Sequence, residues 1–204
     1  MIRIKICGVT TEDQARACAE AGADAIGVNF VASSPRRVDE ATARAIARAV
    51  PARTLVVGVV ADQTVEAMWA LREATGVGCL QLHGAESDED VAALLPHAYK
   101  AVRVAGAPDV ARADAAPGEY VLVDAKVDGV LGGTGHVLDW GLVVAIAQRR
   151  KLVLAGGLTA ANVASAVRQV RPWCVDVSSG VESAPGVKDI DKVRAFIAAA
   201  RHAT

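Results

Sequence analysis

An alternating run opens the chain. Ile2, Ile4 and Ile6 interleave with Arg3, Lys5 and Cys7, and Gly8 ends the pattern. A period of two puts Lys5 and Cys7 on one face of a strand. A free thiol titrates near ~8.5, and a neighbouring cation draws it toward neutrality. The spacing therefore offers Cys7 as a base or nucleophile assisted by Lys5; the plainer alternative is a small buried hydrophobe. Asp124 closes the apolar run Val121-Leu122-Val123. A carboxylate there is costly to bury without a partner, so it does acid–base chemistry, caps the next loop or balances Lys126. Asp176 and His83 stand at similar run ends. Asp176 serves substrate or holds Lys5, and His83 orients substrate or the thiol.

Two glycine clusters suggest an anion site. Gly156-Gly157 and Ser179-Gly180 each follow an apolar run, and glycines let backbone N–H groups approach a phosphate closely. Gly132-Gly133-Thr134-Gly135 lacks the Gly-Lys-Ser/Thr ending of a nucleotide loop and reads as an active-site cover. Arg36, after Pro35, can grip a carboxylate at two points or simply be solvated. A Gly-x-Gly-x-x-Gly fingerprint after the first strand is absent and the acids form no metal motif, so neither cofactor nor metal is expected.

The bulk numbers narrow the partners. Lys+Arg of 22 against Asp+Glu of 23 leaves a net charge of -1, and aromatic residues are only 3%. Neither a nucleic-acid surface nor a base-stacking platform is indicated. Cys7, Cys18, Cys79 and Cys174 lack zinc-type spacing and read as free thiols. With no leader pattern and no apolar stretch of roughly 18 residues, the expected location is cytoplasmic and no membrane contact is expected.

Eight strand-like runs must position these groups: the opening one and residues 25–30, 54–60, 77–83, 98–104, 120–124, 151–155 and 173–177. Helical patterns alternate with them, and the stretch 108–115, followed by Pro117, predicts a short or irregular fifth helix. The order predicts an α/β fold, a single small (β/α)8 TIM barrel over residues 1–204, near the lower limit of roughly 200 residues for that architecture. An open doubly wound sheet is the competing arrangement. In a barrel, strand parity turns Lys5 inward with Cys7, Gln81 and Cys79 with His83, Leu122 with Asp124, and Cys174 with Asp176, gathering these groups at one mouth.

Lys5-Ile6-Cys7-Gly8, Ser34-Pro35-Arg36, Gln81-Leu82-His83-Gly84, Gly132-Gly133-Thr134-Gly135 with Asp139-Trp140, Gly156-Gly157-Leu158 and Asp176-Val177-Ser178-Ser179-Gly180-Val181-Glu182 together resemble the phosphoribosylanthranilate isomerase family of tryptophan biosynthesis. The resemblance implies a cofactor-free barrel that performs an Amadori rearrangement on a phosphosugar. It implies Cys7 as general base, Asp124 as general acid, Arg36 as receiver of the anthranilate carboxylate, and Gly157, Ser179 and Gly180 as the phosphate grip. His83, Asp176, Gly132 and Gly133 would face the substrate, with Lys5 and Gln81 supporting. Monomers and homodimers both occur in the family. The run Val28-Asn29-Phe30-Val31-Ala32 is more polar than the family pattern. Two alternatives stand beside this one: a related aminoaldose isomerase of histidine biosynthesis, whose aspartate pair Cys7 does not match, and a silent phosphosugar-binding barrel.

Overall fold

Helix starts in this chain are written in short polar side chains. Thr11, Asp39, Thr64, Ser87 and Asp189 each accept a backbone N–H from the first turn that follows, a contribution of about 1 kcal/mol apiece. Helix stops are equally local: Gly76, at φ +74°, takes the left-handed conformation that ends the third helix. Between these punctuation points lie β-branched runs too short and too apolar to stay in solvent.

The computed structural model describes residues 1–124 and 140–203. Its strands are β1 Arg3–Cys7, β2 Ala25–Asn29, β3 Leu55–Val60, β4 Cys79–Leu82, β5 Ala98–Arg103, β6 Tyr120–Asp124, β7 Lys151–Ala155 and β8 Cys174–Val177. They pair in parallel, each with its sequence neighbours, and β8 closes back on β1. The helices are α1 Glu12–Glu20, α2 Glu40–Ala49, α3 Val65–Thr75, α4 Asp88–Leu94, α5 Ala107–Ala115, α6 Gly141–Arg149, α7 Val163–Val170 and α8 Ile190–Arg201. This is a (β/α)8 barrel; the open sheet is excluded by the β1–β8 pairing. Among the described residues, no helix is long and apolar enough to cross a membrane.

Two apolar clusters follow from strand parity. Outward residues such as Ile4, Ile6, Ile26, Leu80, Val121 and Leu154 pack against the helices in one continuous core. Inward residues Val57, Tyr99, Ala101, Leu122, Val153 and Cys174 fill the barrel. The buried Lys5, Gln81 and Asp176 are polar insertions among the inward set. Their side chains are the reason the barrel axis has chemistry as well as packing.

Two local expectations are refined. The fifth helix is short and regular, because Pro108 sits in its first turn, where a missing N–H costs nothing, and Pro117 lies beyond its end. The stretch after β8, where residue order with Pro185-Gly186 indicates only a loop, contains a 3-10 turn at Ser179–Val181 and a small antiparallel hairpin, β9 Glu182–Ala184 with β10 Val187–Lys188. Pro185-Gly186 supplies the hairpin turn, with Gly186 at φ +79°.

Candidate active site

At the C-terminal end of the barrel, Cys7, Asp124, Arg36, Gln81, His83, Asp176, Gly157, Ser179 and Gly180 line one cavity of about 270 Å3. Of the groups that strand parity turns inward, Lys5, Cys79 and Cys174 do not line this mouth; they lie toward the opposite end of the barrel, where they line another cavity. Gly132 and Gly133 lie outside the described residues. Parallel barrels present strand ends and βα loops on this face, where catalytic groups from different strands converge.

Cys7 ends β1 opposite Gly27 of β2. That glycine is a spatial requirement, since a Cβ built there would stand 2.7 Å from the Cys7 sulfur. Burial pushes the thiol above its ordinary range; Lys5, and more weakly Lys188, pull it down without reversing the shift. The expectation that Lys5 draws this thiol toward neutrality therefore fails for the free protein. Desolvation of a thiolate outweighs one nearby ammonium.

Lys5 has a firmer occupation. It lies beside Asp176 in the β1–β8 register, and its ammonium donates to Asp176 Oδ2 and to Gln81 Oε1, both at 2.8 Å. Burial alone would discharge this lysine, but the Asp176 carboxylate, the largest opposing influence, carries its pKa well above the usual value. Tyr99 donates its hydroxyl to the same Gln81 oxygen at 3.1 Å. Asp176 Oδ1 is buried and has no hydrogen-bond partner among the described residues, an acceptor on the wall of the cavity.

From Gln81 the polar chain climbs to the mouth. Its amide nitrogen lies 2.9 Å from His83 Nδ1, and His83 Nε2 lies 3.8 Å from Asp124 Oδ2. Burial is the main cause holding the imidazole below its ordinary pKa, against the pull of Asp124. His83 is thus hydrogen-bonded to Gln81 and stands near the Asp124 carboxylate, beyond hydrogen-bond reach.

Arg36 turns out to be anchored by a residue that the sequence did not single out. Glu182 accepts from Arg36 Nε at 2.8 Å and from Nη2 at 2.6 Å, and from Lys188 Nζ at 2.7 Å. Burial raises the Glu182 carboxyl, but hydrogen bonds and charge from Arg36 and Lys188 outweigh it and hold the group at about 2. A guanidinium has five N–H donors; two engage Glu182, leaving the Nη1–Nη2 edge as a second fork. The only available signal was the Arg-Arg pair and the Glu182-to-Lys188 spacing, which does not predict contact.

The anion loops are formed by close backbone approach. Gly156 and Gly157 adopt φ +93° and +64° after β7. Gly180 is the middle residue of the 3-10 turn after β8, where any side chain would collide with the Leu158 carbonyl. The two loops are therefore packed against each other through backbone at Gly180.

Comparison with known proteins places this mouth in a lineage. The family model for N-(5'phosphoribosyl)anthranilate (PRA) isomerase matches residues 4–199. The chain belongs to the phosphoribosylanthranilate isomerase family. It is 47% identical over 202 residues to N-(5'-phosphoribosyl)anthranilate isomerase of Pseudomonas aeruginosa (strain UCBPP-PA14), covering 98% of this chain and 95% of that one. Its fold matches the crystal structure of phosphoribosyl anthranilate isomerase from Thermotoga maritima with a TM-score of 0.93 at 38% identity, over 99% of this chain and 100% of that one. A further solved isomerase, in complex with reduced 1-(o-carboxyphenylamino)-1-deoxyribulose 5-phosphate, matches at 0.90 and 36% identity over 99% and 100%. An isomerase of this family is accordingly what the barrel houses, and phosphoribosylanthranilate isomerases are the frame for its chemistry.

Proposed function

We propose that Cys7 and Asp124 carry out an Amadori rearrangement of N-(5-phosphoribosyl)anthranilate to 1-(2-carboxyphenylamino)-1-deoxyribulose 5-phosphate. Asp124 gives its proton to the ring oxygen as the C1–O bond breaks, and the anilino nitrogen lone pair forms the C1=N iminium. Cys7, as thiolate, removes the C2 proton, and the C2–H electrons become the C1=C2 bond of an enolamine. The enol then loses its hydroxyl proton while C1 gains one, giving the aminoketone. Substrate and product are isomers, so no external oxidant or reductant enters.

The observation that carries this reading is the shared cavity: a thiol from β1 and a carboxyl from β6 face the same space as the glycine loops after β7 and β8. Acid and base are effective only when both reach the reacting atoms. The raised thiol pKa is compatible with this order of events. Ring opening creates a cationic iminium beside Cys7, and a new positive charge favours the thiolate.

Phosphate would seat on the backbone around Gly157, Ser179 and Gly180. Arg36, held by Glu182, would present its free edge to the anthranilate carboxylate, while Asp176 Oδ1 would accept from a sugar hydroxyl. Turnover of N-(5-phosphoribosyl)anthranilate by protein purified from a host lacking its own isomerase tests the assignment. Cys7→Ser and Asp124→Asn should each lower kcat by about 10²–10⁴-fold with the fold retained. Activity near wild type in either variant overturns it.

A further inference from the structure

The donors and acceptors along the barrel axis admit only one arrangement. Lys5 has no acceptor to offer, so the Gln81 atom 2.8 Å from its ammonium must be the amide oxygen. The Tyr99 hydroxyl, which could donate or accept, fits that orientation by donating to the same oxygen at 3.1 Å. Turning the amide over would set an NH2 group against an ammonium. The Gln81 nitrogen therefore faces His83 Nδ1 at 2.9 Å. An amide nitrogen can only donate, so Nδ1 must accept and cannot carry a proton.

We propose that Gln81 is a positioning residue that sets the tautomer of His83, leaving the ring neutral with its proton on Nε2 and directed at Asp124. At 3.8 Å the contact to Asp124 Oδ2 is too long for a hydrogen bond, and such contacts commonly tighten only once substrate is bound. This inference rests on the reading of Asp124 as the general acid.

The tautomer matters because its mirror image would be harmful. A bare Nε2 lone pair next to a protonated carboxyl would accept the proton meant for the ring oxygen. With Nδ1 already receiving from Gln81, protonating it to form an imidazolium would bring two donors together. The Nε2–H instead stabilises the carboxylate that remains after the proton has left. Lys5, buried below the mouth and locked by Asp176, is the origin of the order: one fixed cation orients an amide, the amide orients an imidazole, and the imidazole serves the acid. The charged groups that act on this ring are Asp124 and Asp176, which favour its protonation, and Arg103 and Lys5, which oppose it.

Nitrogen-15 NMR of the His83 ring reads the tautomer directly and needs no turnover. Wild type should show an unprotonated Nδ1 and a protonated Nε2 from pH 8 to below the ordinary imidazole value near ~6.5. Gln81→Glu keeps the shape and the acceptor for Lys5 but replaces the donor facing Nδ1 by a carboxylate. In that variant the ring should protonate at Nδ1, its pKa should rise by one unit or more, and kcat should fall about 10-fold or further with KM changed less than threefold. A protonated Nδ1 in wild type overturns the proposal, as does a Gln81→Glu ring that titrates like wild type or a kcat that ignores the altered ring. Failure of the Asp124 assignment is separately visible: Asp124→Asn would retain kcat while the wild-type ring still showed its proton on Nε2.

Discussion

Glu182 grips Arg36 at two points, Oε1 on the Nε–H at 2.8 Å and Oε2 on Nη2 at 2.6 Å. The same carboxylate accepts from Lys188 at 2.7 Å, so two cations from different loops converge on one anion. The geometry fixes which edge of the guanidinium is left for a ligand. Glu182→Gln keeps one acceptor and loses the charge. We expect KM to rise about tenfold, about 1.4 kcal/mol, with kcat reduced less than threefold. Steady-state kinetics check this; an unchanged KM contradicts the orienting role.

The same cluster predicts acid sensitivity. The Glu182 pKa of about 2 in the folded protein lies below the ~4.3 of an unfolded glutamate. Its stabilisation is therefore complete above about pH 4.3 and disappears as pH falls toward about 2. Urea unfolding should show wild type losing roughly 2 kcal/mol more than Glu182→Gln between pH 6 and pH 3. Parallel losses in the two proteins would show that the carboxylate is not linked to folding.

The partly buried thiol of Cys7 predicts an alkaline midpoint for its own reactivity. Thiolate is the working form of a cysteine base, and burial holds Cys7 above the ordinary thiol range. Only the thiolate reacts with iodoacetamide, so alkylation of Cys7 in the free protein should slow about tenfold per pH unit below that pKa. An alkylation profile with its midpoint under pH 8 would contradict the desolvation argument.

Lys5→Met isolates the axial cation. Removing it leaves the buried Asp176 carboxylate without its partner at 2.8 Å, an uncompensated charge that costs about 3–5 kcal/mol. Denaturant midpoints should drop accordingly, and the Cys7 thiol, relieved of its main lowering influence, should titrate higher still. A loss below about 1 kcal/mol would mean that Asp176 finds water or another donor.

Much of the frame is legible in residue order. The sequence-based limits of β6 and β7 coincide with Tyr120–Asp124 and Lys151–Ala155, because apolar runs there are bounded by abrupt polar or glycine breaks. Parity alone turned Lys5, Gln81 and Asp176 inward, since a strand has only two faces. What parity cannot supply is distance across the ring. The Arg36–Glu182 pair joins residues 146 positions apart, and barrel closure brings them together. The thiol shift was misjudged for a related reason: sequence reveals that a lysine neighbours Cys7, but not how much water the fold removes from the sulfur. The hairpin of β9 and β10 was missed because its strands, Glu182–Ala184 and Val187–Lys188, are too short to show a period.

The spatial claim beneath the mechanism is that Cys7 and Asp124 address the same open-chain sugar. A crystal structure of this chain with the reduced product, 1-(o-carboxyphenylamino)-1-deoxyribulose 5-phosphate in its reduced form, measures it directly. The account predicts the Cys7 sulfur about 3–3.5 Å from C2 and an Asp124 oxygen about 2.6–3.2 Å from the former ring oxygen, with phosphate on the loops at Gly157 and Gly180. A complex in which either side chain points away from the sugar would contradict it.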